Sequence, residues 1–195
     1  MRFHNCLDGL LGNPVRLRVL RALARSPSQG FTGRELARNC NSSPSQTILA
    51  LKSLEASGVV TREVAGPSHV WRLSSHHVLS GQLINLFEQE QGALAVLKSE
   101  LRSAVSRVPV QRAILFGSVV RGEERPASDI DLFVQVRTEQ DKIRAEEVLS
   151  SASPRFARKF GNPLSSLVLT GAELRRSRNP SLMRNLMSEG QQVAP

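Results

Sequence analysis

Leu115-Phe-Gly-Ser-Val-Val-Arg-Gly-Glu-Glu-Arg-Pro-Ala-Ser-Asp-Ile-Asp-Leu132 is the stretch on which the reading of this 195-residue chain turns. On its left, Ala113-Ile-Leu-Phe116 is a short apolar run of strand type. On its right, Asp129-Ile-Asp131-Leu-Phe-Val134 is a second strand. Asp129 and Asp131 stand two apart, so their carboxylates share one face of that strand. A solvated loop edge is the plain alternative, but Ile130, Leu132, Phe133 and Val134 around them argue against it. Paired acids on an apolar strand call for a cation or a function. Two carboxylates on one face suit Mg²⁺, a hard cation that keeps several positions for phosphate and water. Gly117 lets the backbone approach a phosphate, and a helix start after it adds amide donors. Ser118 offers a hydroxyl and Arg121 a positive charge against a triphosphate. Gly117, Ser118 and Arg121 are the expected phosphate-binding residues, and Asp129 and Asp131 the expected metal-binding ones.

The whole string, with ten residues between Ser118 and Asp129, resembles the minimal nucleotidyltransferases of the DNA polymerase β-like superfamily. That resemblance implies a small mixed-sheet domain using Mg and an NTP, ATP or GTP, as ligand or substrate, with Gly117, Ser118 and Arg121 as nucleotide-binding residues and Asp129 and Asp131 as catalytic metal ligands. It implies two metals that activate an attacking hydroxyl and stabilise the leaving pyrophosphate. It also implies a third carboxylate on a later strand. The candidate strand, Leu164-Ser-Ser-Leu-Val-Leu169, carries Ser165 and Ser166 where that acid is expected. Ser166, just before Leu167-Val168, is the expected occupant of the position. Serine is a poor metal ligand and takes no proton at neutral pH, so full transferase activity is in question; Glu123 and Glu124 are the substitutes at hand. Minimal nucleotidyltransferases often act as antitoxins, so the resemblance also brings a toxin or other protein partner into view.

The N-terminal region has a different grammar. Pro14 opens a helix with Val15, Val19, Leu20 and Leu23 at helical spacing, closed by Ser26-Pro-Ser-Gln-Gly30. Thr32 and Glu35 form a capping box for a second helix carrying Leu36 and Ala37. Ser43-Pro44 opens a third, with Ile48, Leu51 and Leu54, ending at Ser57-Gly58. Two β-type runs, Val59 to Val64 and His69 to Leu73, flank Gly66-Pro67-Ser68 as a hairpin. Helix, helix, turn, helix, hairpin is the order of a winged helix-turn-helix. Phe31 to Leu73 resembles the DNA-binding domains of the ArsR and MarR regulators, above all in Leu51-Lys-Ser-Leu54-Glu-Ala-Ser-Gly58-Val-Val60. The resemblance implies double-stranded DNA as partner, with Ser43, Ser45, Gln46 and Thr47 at a helix N-terminus facing a major groove. Lys52 and the wing residues Arg62, His69 and Arg72 would reach the backbone or the minor groove. Trp71 reads as a packing residue. Ile48 and Leu49 are both apolar on a helix that should turn a polar face to DNA, so one of them is expected to face outward. Winged helices also serve as protein-docking or dimerisation modules, and that reading stays open.

Between the two regions, Leu79, Leu83, Leu86, Leu94, Leu97 and Leu101 recur at helical spacing over residues 76–107. This stripe predicts burial against the chain's own domains or, as a homodimer, against a second copy. His76 and His77 read as solvated helix-start residues, with no partner at metal-ligand spacing. Near the C-terminus, Thr170-Gly-Ala-Glu173-Leu174-Arg-Arg176 reads as a capped helix, with another near 180–188. Arg175, Arg176 and Arg178 form a basic cluster there.

The charge is distributed unevenly. The chain carries a formal net charge of +9. Residues 1–79 hold 10 basic and 4 acidic side chains, whereas 108–195 hold 13 and 10. A polyanion partner at the N-terminal end is the natural reading. No stretch is apolar enough to span a membrane, the N-terminus lacks a signal-peptide run, and Cys6 and Cys40 read as reduced thiols. A cytoplasmic protein without a membrane partner is expected. The fold class is α/β (α+β): a winged helix-turn-helix over 1–75, a connector helix over 76–107 and a nucleotidyltransferase-like domain over 108–195. Two functions follow. One is a DNA-binding transcriptional regulator whose second domain binds NTP and Mg and tunes DNA affinity. The other is an active nucleotidyltransferase acting on protein or RNA, with the winged helix for docking.

Overall fold

The structure is a computed structural model and describes residues 3–9, 11–123, 125, 128–176, 186 and 188–194. Glu124, Arg178 and most of the expected 180–188 helix lie outside the described residues. The chain divides into two compact units, Asn5–Gly92 and Met1–His4 with Ala93–Pro195. Among the described residues no helix is long and apolar enough to cross a membrane.

The first unit contains α1 (Pro14–Arg25), β1 (Phe31–Thr32), α2 (Gly33–Asn39), α3 (Pro44–Ala56), β2 (Val60–Ala65), β3 (Ser68–Leu73) and the start of α4 (Ser80–Val105). The predicted starts are built as the sequence dictates. Asn13 caps α1 ahead of Pro14, accepting from the Arg16 amide at 3.2 Å. Thr32 and Glu35 form the expected reciprocal box. Ser43 accepts from the Gln46 amide ahead of Pro44. The strands form an antiparallel sheet in the order β1-β3-β2, with Phe31 opposite Trp71 and Val60 opposite Leu73. Strand β1 is an element the sequence reading does not place. Two residues have no periodicity to detect, and only pairing with β3 makes them a strand. Leu23, Leu36, Leu51, Trp71 and Phe87 fill the core. Beneath it lies a buried ionic cluster: Arg21 Nε meets Glu90 Oε2 at 2.6 Å, and Arg21 Nη2 meets Asp8 Oδ1 at 2.6 Å. The Leu7 amide donates to Glu90 Oε1 at 2.9 Å. Cys6 and Cys40 are both free.

The second unit is built on a mixed sheet of β4 (Val110–Phe116), β5 (Ile130–Val136), β6 (Leu164–Thr170) and β7 (Gln191–Ala194), in the order β6-β5-β4-β7. Strands β5 and β6 are parallel, so they need a long crossover, which α6 (Glu139–Phe160) supplies. Thr138 and Asp141 cap α6, and Gly161 ends it in the left-handed conformation. Two short helices complete the unit, α5 (Ser118–Arg121) and α7 (Gly171–Arg176). One sheet face carries Ile130, Leu132, Val134, Val136, Leu164 and Val168 into a core shared with Leu97 and Leu101 of α4 and Leu149 and Phe156 of α6. The other face carries Ile114, Phe133, Leu167 and Leu169 into a smaller cluster with Leu186. The connector's leucine stripe is therefore taken up inside the chain. Leu97 and Leu101 are fully buried in the second unit, Leu83 and Leu86 pack against the core of the first, and Leu79 is left 51% exposed.

Candidate functional site

Strand pairing fixes the first group of residues. Phe116 at the end of β4 lies opposite Asp131 on β5, so the chain leaves the sheet at Gly117 directly beside that carboxylate. Gly117 has φ 79 and ψ −153, a conformation open essentially to glycine alone. A Cβ there would collide with Asp131 Oδ2. The glycine serves both backbone and neighbour: it allows the turn and leaves room for the Asp131 carboxylate itself. Ser118 then starts α5, and Gly122 ends it with φ 70.

Asp129 is exposed just before β5, and Asp131 is half-buried within it. Burial pushes the Asp131 carboxyl above its ordinary range, and the nearby Asp129 charge pushes the same way. Arg121 pulls in the opposite direction. Two like charges at the edge of a desolvated strand form a donor set that fits a hard divalent cation. Arg121 is already engaged: its Nε meets Glu123 Oε2 at 2.8 Å and its Nη1 meets Glu189 Oε2 at 3.1 Å. Glu189 is a participant that sequence reasoning missed, since nothing in the sequence connects it to residue 121.

The register of β5 and β6 corrects one expectation. Asp131 pairs with Ser165, and Leu132 pairs with Ser166. Side chains alternate across a strand, so Ser165 shares the face of Asp131, Phe133 and Leu167, whereas Ser166 shares that of Leu132 and Val168. The position beside Asp131 therefore belongs to Ser165, not Ser166. Glu123 is exposed and bound to Arg121. Among the described residues no group of three His, Cys, Asp or Glu side chains is placed to hold a metal. Further along the sheet, Glu173 closes a capping box with Thr170 and meets Lys142 Nζ at 2.5 Å. Lys142 and Thr170 hold its carboxyl down at about 2. Arg175 and Arg176 are exposed at the end of α7.

The second group lies on the winged helix. Ser43, Ser45, Gln46, Lys52, Arg62 and His69 are exposed, and Arg72 is partly so. Thr47 is the exception. It is fully buried, and its hydroxyl donates to the Ser43 carbonyl and contacts Ser42 Oγ at 2.7 Å. Thr47 holds the turn before α3 together and is not available to a groove. Two wing arginines have internal partners. Arg62 Nε meets Glu55 Oε1 at 3.0 Å and lies over the Trp71 ring. Arg72 Nη1 donates to the Ser28 carbonyl at 2.8 Å. Arg34 of α2, Ile48 and Lys52 of α3, and Arg62 and His69 of the wing line a shallow groove. Of the apolar pair on α3, Ile48 is half-buried and Leu49 is 68% exposed.

Residues 97–170 match the family model for the nucleotidyltransferase domain. No curated protein matches the chain. Solved structures resemble it over the N-terminal half at low overall superposition. A MarR family transcriptional regulator from Silicibacter pomeroyi is 21% identical, with 54% of this chain and 71% of that chain covered and a TM-score of 0.36. MepR, a transcription regulator of the Staphylococcus aureus multidrug efflux pump MepA, is 13% identical over 54% and 83%, with a TM-score of 0.39. A MarR family protein of Mycobacterium tuberculosis is 26% identical over 50% and 69%, with a TM-score of 0.34. The chain thus joins a winged helix, defined by its own element order and sheet, to a unit that matches the nucleotidyltransferase domain model over residues 97–170.

Proposed function

We propose that the protein is a DNA-binding regulator whose nucleotidyltransferase domain binds a nucleoside triphosphate with Mg²⁺ and modulates DNA affinity, with little or no transfer chemistry. The observation that carries this reading is Ser165 in register with Asp131. The phosphate-side features are intact: the Gly117 turn, Ser118, and the Asp129–Asp131 pair. The acid that would serve as base or further ligand is replaced by a hydroxyl. Asp129 and Asp131 would hold Mg²⁺, which supplies positive charge against the triphosphate. Ser118 donates a hydroxyl to a phosphate oxygen, and Gly117 keeps the approach clear. On the winged helix, Ser43, Ser45 and Gln46 face the major groove, while Lys52, Arg34 and His69 neutralise phosphates. A dimer through the connector helix would use Val96 of α4, which remains exposed.

Calorimetry with ATP and with GTP, each with Mg²⁺, tests the first half. Binding in wild type that is lost in Asp129→Ala/Asp131→Ala is expected; equal binding by both proteins overturns the assignment. DNA titrations at several salt concentrations test the second half. Each phosphate neutralised steepens log K against log [salt] by roughly 0.9, so Lys52→Ala should flatten the slope by about one unit. No duplex binding at low salt leaves the winged helix as a protein-docking module.

The alternative reading is an active transferase acting on a protein or RNA hydroxyl. The retained Gly117–Ser118 turn packed beside Asp131 favours it. Transfer of label from a radiolabelled NTP by wild type would establish it over the regulator.

A further inference from the structure

The outward face of α3 has a composition that constrains what it reads. Successive helical residues turn by about 100°, so the buried set Thr47, Ala50, Leu51 and Leu54 fixes the opposite face as Ser45, Leu49, Lys52 and Ala56. Gln46 lies at the edge of that face. Leu49 stands at its centre and is 68% exposed, on a helix whose neighbouring elements are basic. An apolar side chain in that place gains nothing from water. It gains where a complementary methyl group is presented.

The chain has 22 arginines, yet α3 contains none. Guanine is read most often by a bidentate Arg, and cytosine by Asp or Glu. The one acid on α3, Glu55, is held by Arg62 at 3.0 Å. What remains on the outward face matches the other base pair. A glutamine amide donates to adenine N7 and accepts from adenine N6, and an apolar side chain packs on the thymine C5-methyl. The Gln46 backbone amide donates to Ser43 Oγ at 3.3 Å, and its exposed side-chain amide takes no part in that cap. Arg16, Arg34 and Lys52 surround this face with positive charge, and Arg16 is fixed on α3 by donating to Ser53 Oγ at 2.8 Å.

We propose that α3 reads adenine·thymine base pairs in the major groove, with Leu49 on a thymine methyl and Gln46 on an adenine edge. This rests on the DNA-binding reading above and adds to it the chemistry of the sequence recognised.

The test is selection by the full-length protein from two random duplex pools, one made with thymidine and one with deoxyuridine, which lacks the methyl. The thymidine pool should yield half-sites with A·T pairs at the centre, and the deoxyuridine pool should lose one of those positions. On the selected duplex, replacing that thymine by uracil should weaken wild type by about 4-fold, the value of one methyl group removed from water. Leu49→Ala should bind the thymine duplex more weakly and respond little to the swap. Gln46→Ala should relax the adenine position. Leu49 is exposed, so circular dichroism should show both variants folded. A centre of G·C pairs, or a Leu49→Ala protein that still distinguishes thymine from uracil, overturns the proposal. Salt-sensitive binding without any enriched sequence overturns it alone and leaves DNA binding standing. No binding to any duplex overturns both.

Discussion

Asp131 and Ser165 are register partners across the parallel strands β5 and β6, on the face opposite α4 and α6. A carboxylate at 165 would stand beside Asp131, whereas one at 166 would enter the face occupied by Leu132 and Val168. Ser165→Asp is therefore expected to raise Mg²⁺ affinity or label transfer. A restored base is worth ~10²–10⁴-fold in rate. Ser166→Asp is expected to lower the melting temperature, because an unpaired acid on that face costs at least ~1–3 kcal/mol. Equal effects from the two substitutions would contradict the register.

Gly117→Ala tests the turn. Its φ of 79 disfavours any side chain, and the new Cβ meets Asp131 Oδ2. A loss of about 1–3 kcal/mol in a denaturant titration is expected, together with weakened Mg²⁺ binding because the carboxylate must move. Unchanged stability and binding would mean that the turn relaxes freely.

The ion cluster beneath the winged-helix core should be asymmetric under mutation. Arg21 and Glu90 are 5% and 2% exposed at their side chains. Glu90→Ala leaves a buried guanidinium with Asp8 alone and should cost ~3–5 kcal/mol. Arg21→Met/Glu90→Leu, which removes both charges, should recover most of that loss. A double variant no better than the single one would show the pair to be net stabilising.

Acid should weaken the α6–α7 contact in a defined window. The Glu173 carboxyl is held down at about 2 by Lys142 and the Thr170 amide, from an ordinary 4.5. A depressed carboxylate contributes stability that is fully present above its unfolded value and is lost as pH falls through its folded one. The loss should run from about pH 4.5 down to about 2, and Glu173→Gln should flatten the acid limb of a melting-temperature profile there. An identical limb in the variant would place the acid sensitivity elsewhere.

The sequence is most explicit where short-range chemistry sets structure. The caps at Thr32 and Ser43 and the Gly-Ser and Asp-x-Asp motifs depend on neighbours within four residues, and all are readable. Strands β1 and β7 are set by partners far along the chain. Helix α6 escapes the reading because Pro154 interrupts its pattern and part of its buried face is alanine. Register is the other limit. Ser165 and Ser166 differ by one residue, and only pairing with β5 decides which of them meets Asp131. Thr47 and Leu49 show the same on α3. Both are near the helix start, yet one is sealed under the turn and the other is its most outward apolar atom cluster.

Arg121 carries a consequence of its own. Glu123 and Glu189 already hold its guanidinium, so the chain supplies a built-in competitor for any anion that arrives. Binding there is an exchange of one anion for another rather than neutralisation of a bare charge. A monoanion such as chloride gains little from such an exchange, while a triphosphate brings enough charge to displace both carboxylates. The arrangement filters ligands by valence. It also lowers affinity by what an exposed pair is worth, ~0–1 kcal/mol, so Glu189→Gln should tighten triphosphate binding by up to about 5-fold. If the proposed triphosphate binds here, the exchange favours a polyvalent anion over the background salt.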